Sequence, residues 1–384
     1  MHHQNSVFHA MTKYIPWTEF DRLVDDHKAD YRVRSLKTKD QFLALLFSQL
    51  SGCSSLREIE AGLASYESRL YHLGTTVPAR STLADANAKR PWQVYGDLFT
   101  FMVGEANRKV RRSMGEITRI IDSTSISLSS LSADWVKLAQ GHYAGKVHIV
   151  YDPDRDMPLK AEVTPCTIND ITPAKALTLE AGATYVFDLG YYDYGWWSEM
   201  DKLGCRFVTR LKSNTHLKDT TELTVPAEAK TIISDRIGLL PRRMKASRRN
   251  PMWDPVREIT VRIATGKIIR IVTNDLDAPV QEIADLYKRR WQIELLFKWL
   301  KQNLEIKHFL GTSQNAVYIQ VFVALISYLL LNLARQTQSS VHSAKRFANL
   351  VCINIMNRRP IEDLHREYRP PTADPRQMAM ELSL

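Results

Sequence analysis

The chain has 384 residues, of which 44% are hydrophobic and 24% charged, so it is long enough for two or three globular domains. Its formal net charge of +10 favours a polyanionic partner, with nucleic acid the first candidate and an anionic membrane surface the second. The N-terminus lacks the apolar stretch of a secretory signal, and the four cysteines are widely separated. This pattern favours a reduced cytoplasmic chain and excludes a disulfide framework.

The first 105 residues are predicted to be helical. A capping box at residues 38–41 predicts a helix that ends at Gly52, and residues 55–58 predict the start of the next helix. A third helix is predicted from Ser81, after a stretch rich in helix breakers. Two interpretations stay open: a helix-turn-helix reader of DNA with residues 81–90 as the recognition helix, or a small helical dimerisation domain.

Two aspartates follow predicted strands. Asp122 ends an apolar run rich in isoleucine, and Asp188 ends a shorter apolar run that is closed by a glycine. A turn cap is the alternative for any single aspartate at a strand end, and nearby Asp170 and Asp193 stand in turn-like sequences. We prefer Asp188 to these two because a strand leads directly into it.

The surrounding pattern predicts an α/β core followed by a β-rich segment. Strands and helices alternate after Asp122, and Gly266 marks a hairpin turn between two further strands. The predicted strands are residues 146–151, 159–164, 184–187, 205–211, 258–263 and 268–272, and the predicted helices follow Pro173 and cover residues 196–203.

The most informative stretch is residues 287–301, here called the charged segment. On a helix with about 100° per residue, Tyr287, Arg290, Glu294 and Lys301 fall within an arc of about 60°. The opposite side carries Ile293, Leu296 and Leu300. A carboxylate flanked by a phenol, a guanidinium and an ammonium suits a metal site that holds a phosphodiester. The alternative is a solvated amphipathic helix with ion pairs between successive turns.

Two further features concern partners. Basic clusters at residues 108–112, at residues 242–249 and in the charged segment suit a protein that grips DNA at several points. Residues 316–334 approach the length of a membrane span, but Gln320, Ser327 and Asn332 interrupt the apolar run, so we predict a buried core helix and no membrane. The stretch at residues 369–375 is predicted to be a loosely ordered tail.

The spacing Tyr-x2-Arg-x3-Glu-x6-Lys in the charged segment resembles the signature of a large family of bacterial insertion-sequence DDE transposases. The resemblance extends over most of the chain. It implies a ribonuclease-H-like α/β catalytic core with a β-rich insertion, preceded by an all-helical N-terminal domain that helps to bind the terminal repeats. The implied domains are residues 1–105 (helical, DNA-binding), 106–213 (core, first part), 214–272 (insertion), 273–340 (core, second part) and 341–384 (helical segment and tail).

The resemblance also implies roles for individual residues. Asp122, Asp188 and Glu294 become the catalytic residues and the ligands of two Mg²⁺ ions, for which Mn²⁺ can substitute. The implied DNA contacts are Tyr287, Arg290, Lys298 and Lys301. The implied partners are duplex DNA, at terminal inverted repeats and at a target, and a second copy of the chain, in the nucleoid of a bacterial cytoplasm.

Two other functions stay open. One is a catalytically silent or domesticated relative that only binds DNA, and the other is a related metal-dependent nuclease such as a junction resolvase. Retention of all three acids argues against the first. The helical N-terminal region and the long interval between Asp188 and Glu294 argue against the second.

Overall fold

The computed structural model describes residues 5–110, 116–136, 143–245, 248–303, 309–337 and 343–366. The chain divides into two compact units, residues 1–86 with 326–384 and residues 87–325. The side chains of the basic cluster at residues 108–112 and the predicted tail at residues 369–375 lie outside the described part. The helices, in chain order, are α1 Val7–Thr12, α2 Trp17–Asp26, α3 Thr38–Ser51, α4 Leu56–Ala64, α5 Glu67–Leu70, α6 Arg80–Lys89, α7 Gln93–Val110, α8 Ile171–Lys175, α9 Tyr194–Lys202, α10 Val280–Arg289, α11 Trp291–Asn303, α12 Gln314–Gln336 and α13 Ala344–Asn354.

The unit formed by residues 1–86 and 326–384 is helical among its described residues. In it, α3 packs against α13. Phe20 stacks on Phe42 with ring centroids 5.2 Å apart, and the Phe8 N–H donates a hydrogen bond of 2.7 Å to the Ile355 carbonyl. Both ends of the described chain therefore contribute to one apolar core.

The predicted helix starts in this unit are confirmed, with one change of capping residue. Helix α3 stops at Gly52, which takes the left-handed φ of +77° that favours glycine. Its first helical residue is Thr38, and the capping position belongs to Lys37, whose N–H donates to the Asp40 carboxylate at 3.0 Å. Helix α4 is capped by the Ser55 hydroxyl, as predicted.

The second unit is built on a large sheet. Its strands are β1 Thr118–Leu128, β2 Tyr143–Asp152, β3 Met157–Pro165, β4 Thr184–Phe187, β5 Arg206–Arg210, β6 Lys218–Glu222, β7 Ile232–Leu239, β8 Arg243–Lys245, β9 Arg248–Arg249, β10 Val256–Arg262 and β11 Ile268–Thr273. Among the described residues the order in the sheet is β3-β2-β1-β4-β5-β11-β10-β7-β6, and β8 pairs with β9 in a separate ribbon. β1, β4 and β5 run parallel, and β2, β3 and β11 pair antiparallel with their neighbours. The mixed α/β class is confirmed.

The strands predicted for residues 214–272 join this sheet directly through the pairing of β11 with β5. Strand β10 departs from a simple alternation of buried and exposed positions, because its first four residues are all buried. Glu258 in β10 is fully buried, and it forms salt bridges with Arg236 at 3.0 Å and with Arg270. Both faces of the sheet are therefore covered at this point, and two arginines neutralise the carboxylate.

Helix α12 contains the predicted apolar core helix. Its length and composition would suffice for a membrane span, but 94% of its most apolar stretch is buried within the protein. The Gln320 carboxamide oxygen accepts a hydrogen bond of 2.8 Å from the Leu310 N–H, which satisfies a polar group inside this helix. The prediction of a buried helix is confirmed.

Candidate active site

Two aspartates stand next to each other where β4 ends. The parallel pairing of β1 with β4 ends with Ile121 opposite Phe187. The next residue after Ile121 is Asp122, and the next residue after Phe187 is Asp188. Asp188 directly follows its strand, as predicted. Asp122 does not end its strand, because β1 continues to Leu128 by pairing with β2. The two aspartates thus occupy neighbouring backbone positions on adjacent segments of the sheet.

Both aspartates line a cleft with a volume of about 520 Å³. Each site residue predicted from the sequence lines this same cleft. The lining residues are Asp122, Ser123, Thr124, Asp188, Arg210, Tyr287, Arg290, Glu294, Phe297, Lys298, Lys301 and Gln302. Three carboxylates and four cationic side chains therefore share one surface depression.

The charged segment consists of two helices rather than one. α10 ends at Arg289 and α11 begins at Trp291, with Arg290 at the junction. The Arg290 N–H donates to the Tyr287 carbonyl at 3.1 Å. This hydrogen bond spans three residues instead of four, so α10 closes with a tighter turn of the 3₁₀ type. Tyr287 therefore lies in the last turn of α10, and Glu294 lies in the first turn of α11. The apolar side is buried as predicted, at Ile293, Leu296 and Leu300.

Arg290 links Asp122 on β1 to Glu294 on α11. Its Nη1 donates to the Asp122 carboxylate at 3.2 Å, and its Nη2 donates to the Glu294 carboxylate at 2.5 Å. The arginine side chain is only 16% exposed, so these charges meet in a partly desolvated place. Arg290 consequently holds Asp122 and Glu294 in a fixed relation and offsets part of their charge.

The acids also influence each other. Burial, together with the negative charge of Asp188, raises the pKa of Asp122 to about 7. Arg290 acts in the opposite direction but does not cancel the effect. Burial likewise raises the pKa of the Tyr287 phenol, which keeps it a hydrogen-bond donor at neutral pH. The cleft is therefore a place where added positive charge would be stabilised.

A divalent ion fits this donor set. No three His, Cys, Asp or Glu side chains in the described ranges lie close enough together to hold a metal by themselves. Mg²⁺ keeps several waters and needs few carboxylates, so a closed protein cage is not required. Asp122 and Asp188 offer hard oxygen ligands side by side, and their mutual repulsion would be relieved by a cation between them.

The two alternative aspartates are not part of the cleft lining. Asp193 caps α9 and forms a salt bridge of 3.0 Å with Lys175. Asp170 accepts hydrogen bonds from the Ser123 hydroxyl at 2.9 Å and from the Lys146 ammonium at 3.0 Å. Neither of them lines the cleft.

The sequence interpretation missed Arg210, the last residue of β5, which also lines the cleft. A strand that ends in an arginine gives no signal of its own. Within the basic cluster at residues 242–249, Arg243 on β8 and Arg249 on β9 pair across the ribbon and are exposed.

The matching family model and the sequence relatives all name transposases. The Transposase DDE domain family matches residues 113–330, and a domain family of unknown function matches residues 3–76. The transposase y4zB of Sinorhizobium fredii is 39% identical over 312 residues, covering 79% of this chain and 86% of that protein. The transposase for insertion sequence element IS5377 of Geobacillus stearothermophilus is 29% identical over 279 residues, covering 71% of each chain.

A solved piggyBac transposase synaptic complex with hairpin DNA aligns with a TM-score of 0.49 and 10% identity, covering 98% of this chain and 84% of that one. The family match, which covers more than half of the chain and the whole cleft, and the sequence relatives agree with each other. The chain therefore belongs to the DDE transposases of insertion sequences.

Proposed function

We propose that this transposase cleaves and joins DNA strands at the terminal inverted repeats of its insertion sequence, by Mg²⁺-dependent hydrolysis and transesterification. We assign the catalytic roles to Asp122, Asp188 and Glu294. The main support is one arrangement: Asp122 stands beside Asp188 and is linked through Arg290 to Glu294 in a cleft that also holds cations.

We also infer that the core is ribonuclease-H-like. The order β3-β2-β1-β4-β5, with three antiparallel strands followed by two parallel ones, supports this inference. Helices α8 and α9 precede and follow β4 in the chain, as the predicted alternation requires. The remaining strands β11, β10, β7 and β6 extend the same sheet, which suits the proposed insertion between Asp188 and Glu294.

The roles of the side chains follow from their surroundings. When bound, Mg²⁺ stabilises the attacking and leaving oxygens of a phosphodiester exchange, and Asp122, Asp188 and Glu294 would hold it. Arg290 holds the carboxylates of Asp122 and Glu294 close to each other by donating a hydrogen bond to each. Tyr287 stays protonated and can donate a hydrogen bond to a phosphate oxygen. Arg290, Lys298 and Lys301 supply positive charge for the phosphate backbone.

The direct test is a cleavage assay on a duplex that carries the inverted repeats flanking the gene. We expect strand cleavage at the repeat ends with Mg²⁺ or Mn²⁺ and none in EDTA. Equal cleavage in EDTA would contradict the metal requirement. Binding of the repeats without any cleavage in Mg²⁺ would favour the catalytically silent alternative.

Lys301 provides a test of phosphate binding. We expect Lys301→Ala to weaken binding to repeat DNA and to random DNA by a similar factor, because phosphate contacts do not read sequence. The slope of log affinity against log salt should fall by about one unit. Lys202→Ala, which removes an exposed charge on α9 away from the cleft, is the matched control. A loss confined to the repeat sequence would contradict this role.

Transposition requires both ends of the element in one complex, so we infer a homodimer in which catalysis acts in trans. We assign recognition of the repeat to the N-terminal helical region and cleavage to the cleft. Mixing Glu294→Gln protein with a catalytically intact chain that cannot bind the repeat should restore partial cleavage. Cleavage of isolated single ends by a monomer, with no complementation in any mixture, would rule out this arrangement.

A further inference from the structure

We propose that Arg210 binds a phosphate of the DNA strand that lies in the cleft. This inference rests on the proposed function, because it names a further substrate-binding residue of the same site. The ligand class is a phosphodiester, and the residue lies on β5, a strand that the charged segment does not include.

The position of Arg210 follows from the register of the sheet. β4 and β5 are parallel, and their pairing finishes with Val186 opposite Val208. Side chains two residues apart in an extended segment point to the same face of the sheet. Asp188 therefore shares a face with Val186, and Arg210 shares that face with Val208. Because Asp122 is the neighbour of Asp188 on the other side, the three side chains start from one row across three adjacent parallel strands. All three line the cleft.

The surroundings of Arg210 differ from those of two other arginines of the sheet. Arg206 on the same strand forms salt bridges with three carboxylates, and Arg257 on β10 also has a carboxylate partner. Within the described residues, the Arg210 side chain has no hydrogen bond or salt bridge, and its Nε is buried without a partner. A shielded donor without an acceptor costs free energy, so an external acceptor would be bound favourably.

The chemistry of the cleft selects a phosphate as that acceptor. The guanidinium of Arg290 already donates to Asp122 and Glu294 through its two Nη atoms, although its Nε has no partner among the described residues. Arg210 is the cleft guanidinium that has no carboxylate partner among the described residues, and a phosphodiester offers two oxygens that match its fork. Its positive charge also acts on Tyr287, where it partly offsets the effect of burial on the pKa of the phenol.

The test is a double-mutant cycle between the arginine and individual phosphates. Binding is measured in EDTA to duplexes carrying the flanking inverted repeat, with a neutral methylphosphonate at the cleaved position or at a position next to it. We expect Arg210→Met to weaken binding of the unmodified duplex by about tenfold, the scale of a charged hydrogen-bonded pair. At one methylphosphonate position the variant should lose nothing further, and Arg210→Lys should give a smaller loss.

Stability supplies the second measurement. Arg210→Met should unfold at the same temperature as the wild type or higher, because it removes a shielded charge that has no partner. Lys202→Ala should leave binding within about twofold of the wild type, as expected for an exposed charge outside the cleft. Additive losses at every phosphate position, or a lowered unfolding temperature for Arg210→Met, would overturn the inference. Failure of the wild type to cleave with Mg²⁺ would instead refute the proposed function.

Discussion

Asp122→Asn, Asp188→Asn and Glu294→Gln are each expected to reduce strand cleavage by at least about a hundredfold, the scale of removing a group that stabilises charge in the transition state. An amide has nearly the same shape as a carboxylate but lacks the charge that holds a divalent ion. It also keeps an oxygen acceptor, so the hydrogen bonds from the N–H groups of Ser123 and Gly190 to the two aspartates can persist. Binding to the repeat DNA should therefore stay within about twofold or tighten, because repulsion of phosphate falls.

The matched control is Asp285→Asn, an exposed carboxylate on α10 that does not line the cleft. It should cleave at the wild-type rate. Cleavage and unfolding temperature are measured together, so that a folding defect is not mistaken for loss of catalysis. A variant of Asp122, Asp188 or Glu294 that is folded and cleaves normally removes that residue from the proposed site.

The sequence predicted seven of the residues that line the cleft, because their positions depend on local patterns. Asp188 follows a short apolar strand, and the helical spacing of the charged segment predicts that its polar residues share one side, although the segment is divided into two helices at Arg290. The continuation of β1 past Asp122 was not predicted. Residues 123–127 contain three serines and one isoleucine, so they lack the apolar pattern of a buried strand, but pairing with β2 keeps them in the sheet.

Other features depend on contacts between distant segments, which a single sequence does not contain. The break at Arg290 coincides with two salt bridges, one of which reaches Asp122 on a strand far away in the chain. Arg210 becomes notable only when the register of β4 and β5 places it beside Asp188. The buried Glu258 has the same origin, because Arg236 and Arg270 come from the strands on either side of it.

A buried salt bridge between Arg257 and Asp235 joins two strands of the sheet near the start of α10. Arg257 donates to both oxygens of Asp235, at 2.8 and 2.6 Å, and its Nη1 also donates to the Ala278 carbonyl at 2.5 Å. The two side chains are 6% and 1% exposed. This pair therefore connects β7 and β10 to the loop that leads into α10, the helix that carries Tyr287.

Asp235→Ala is expected to destabilise the protein by about 3–5 kcal/mol, because it leaves the Arg257 guanidinium buried without its carboxylate. The unfolding temperature of the unit should fall on the order of 10 °C, as measured by scanning calorimetry. The double variant Asp235→Leu with Arg257→Met should be less destabilised than the sum of the single changes, since no unpaired charge remains. Glu222→Ala, an exposed carboxylate on β6, should change stability by less than about 0.5 kcal/mol. If Asp235→Ala unfolds at the wild-type temperature, the buried pair does not stabilise the sheet, and the position of α10 must depend on apolar packing, such as that of the buried Ile283.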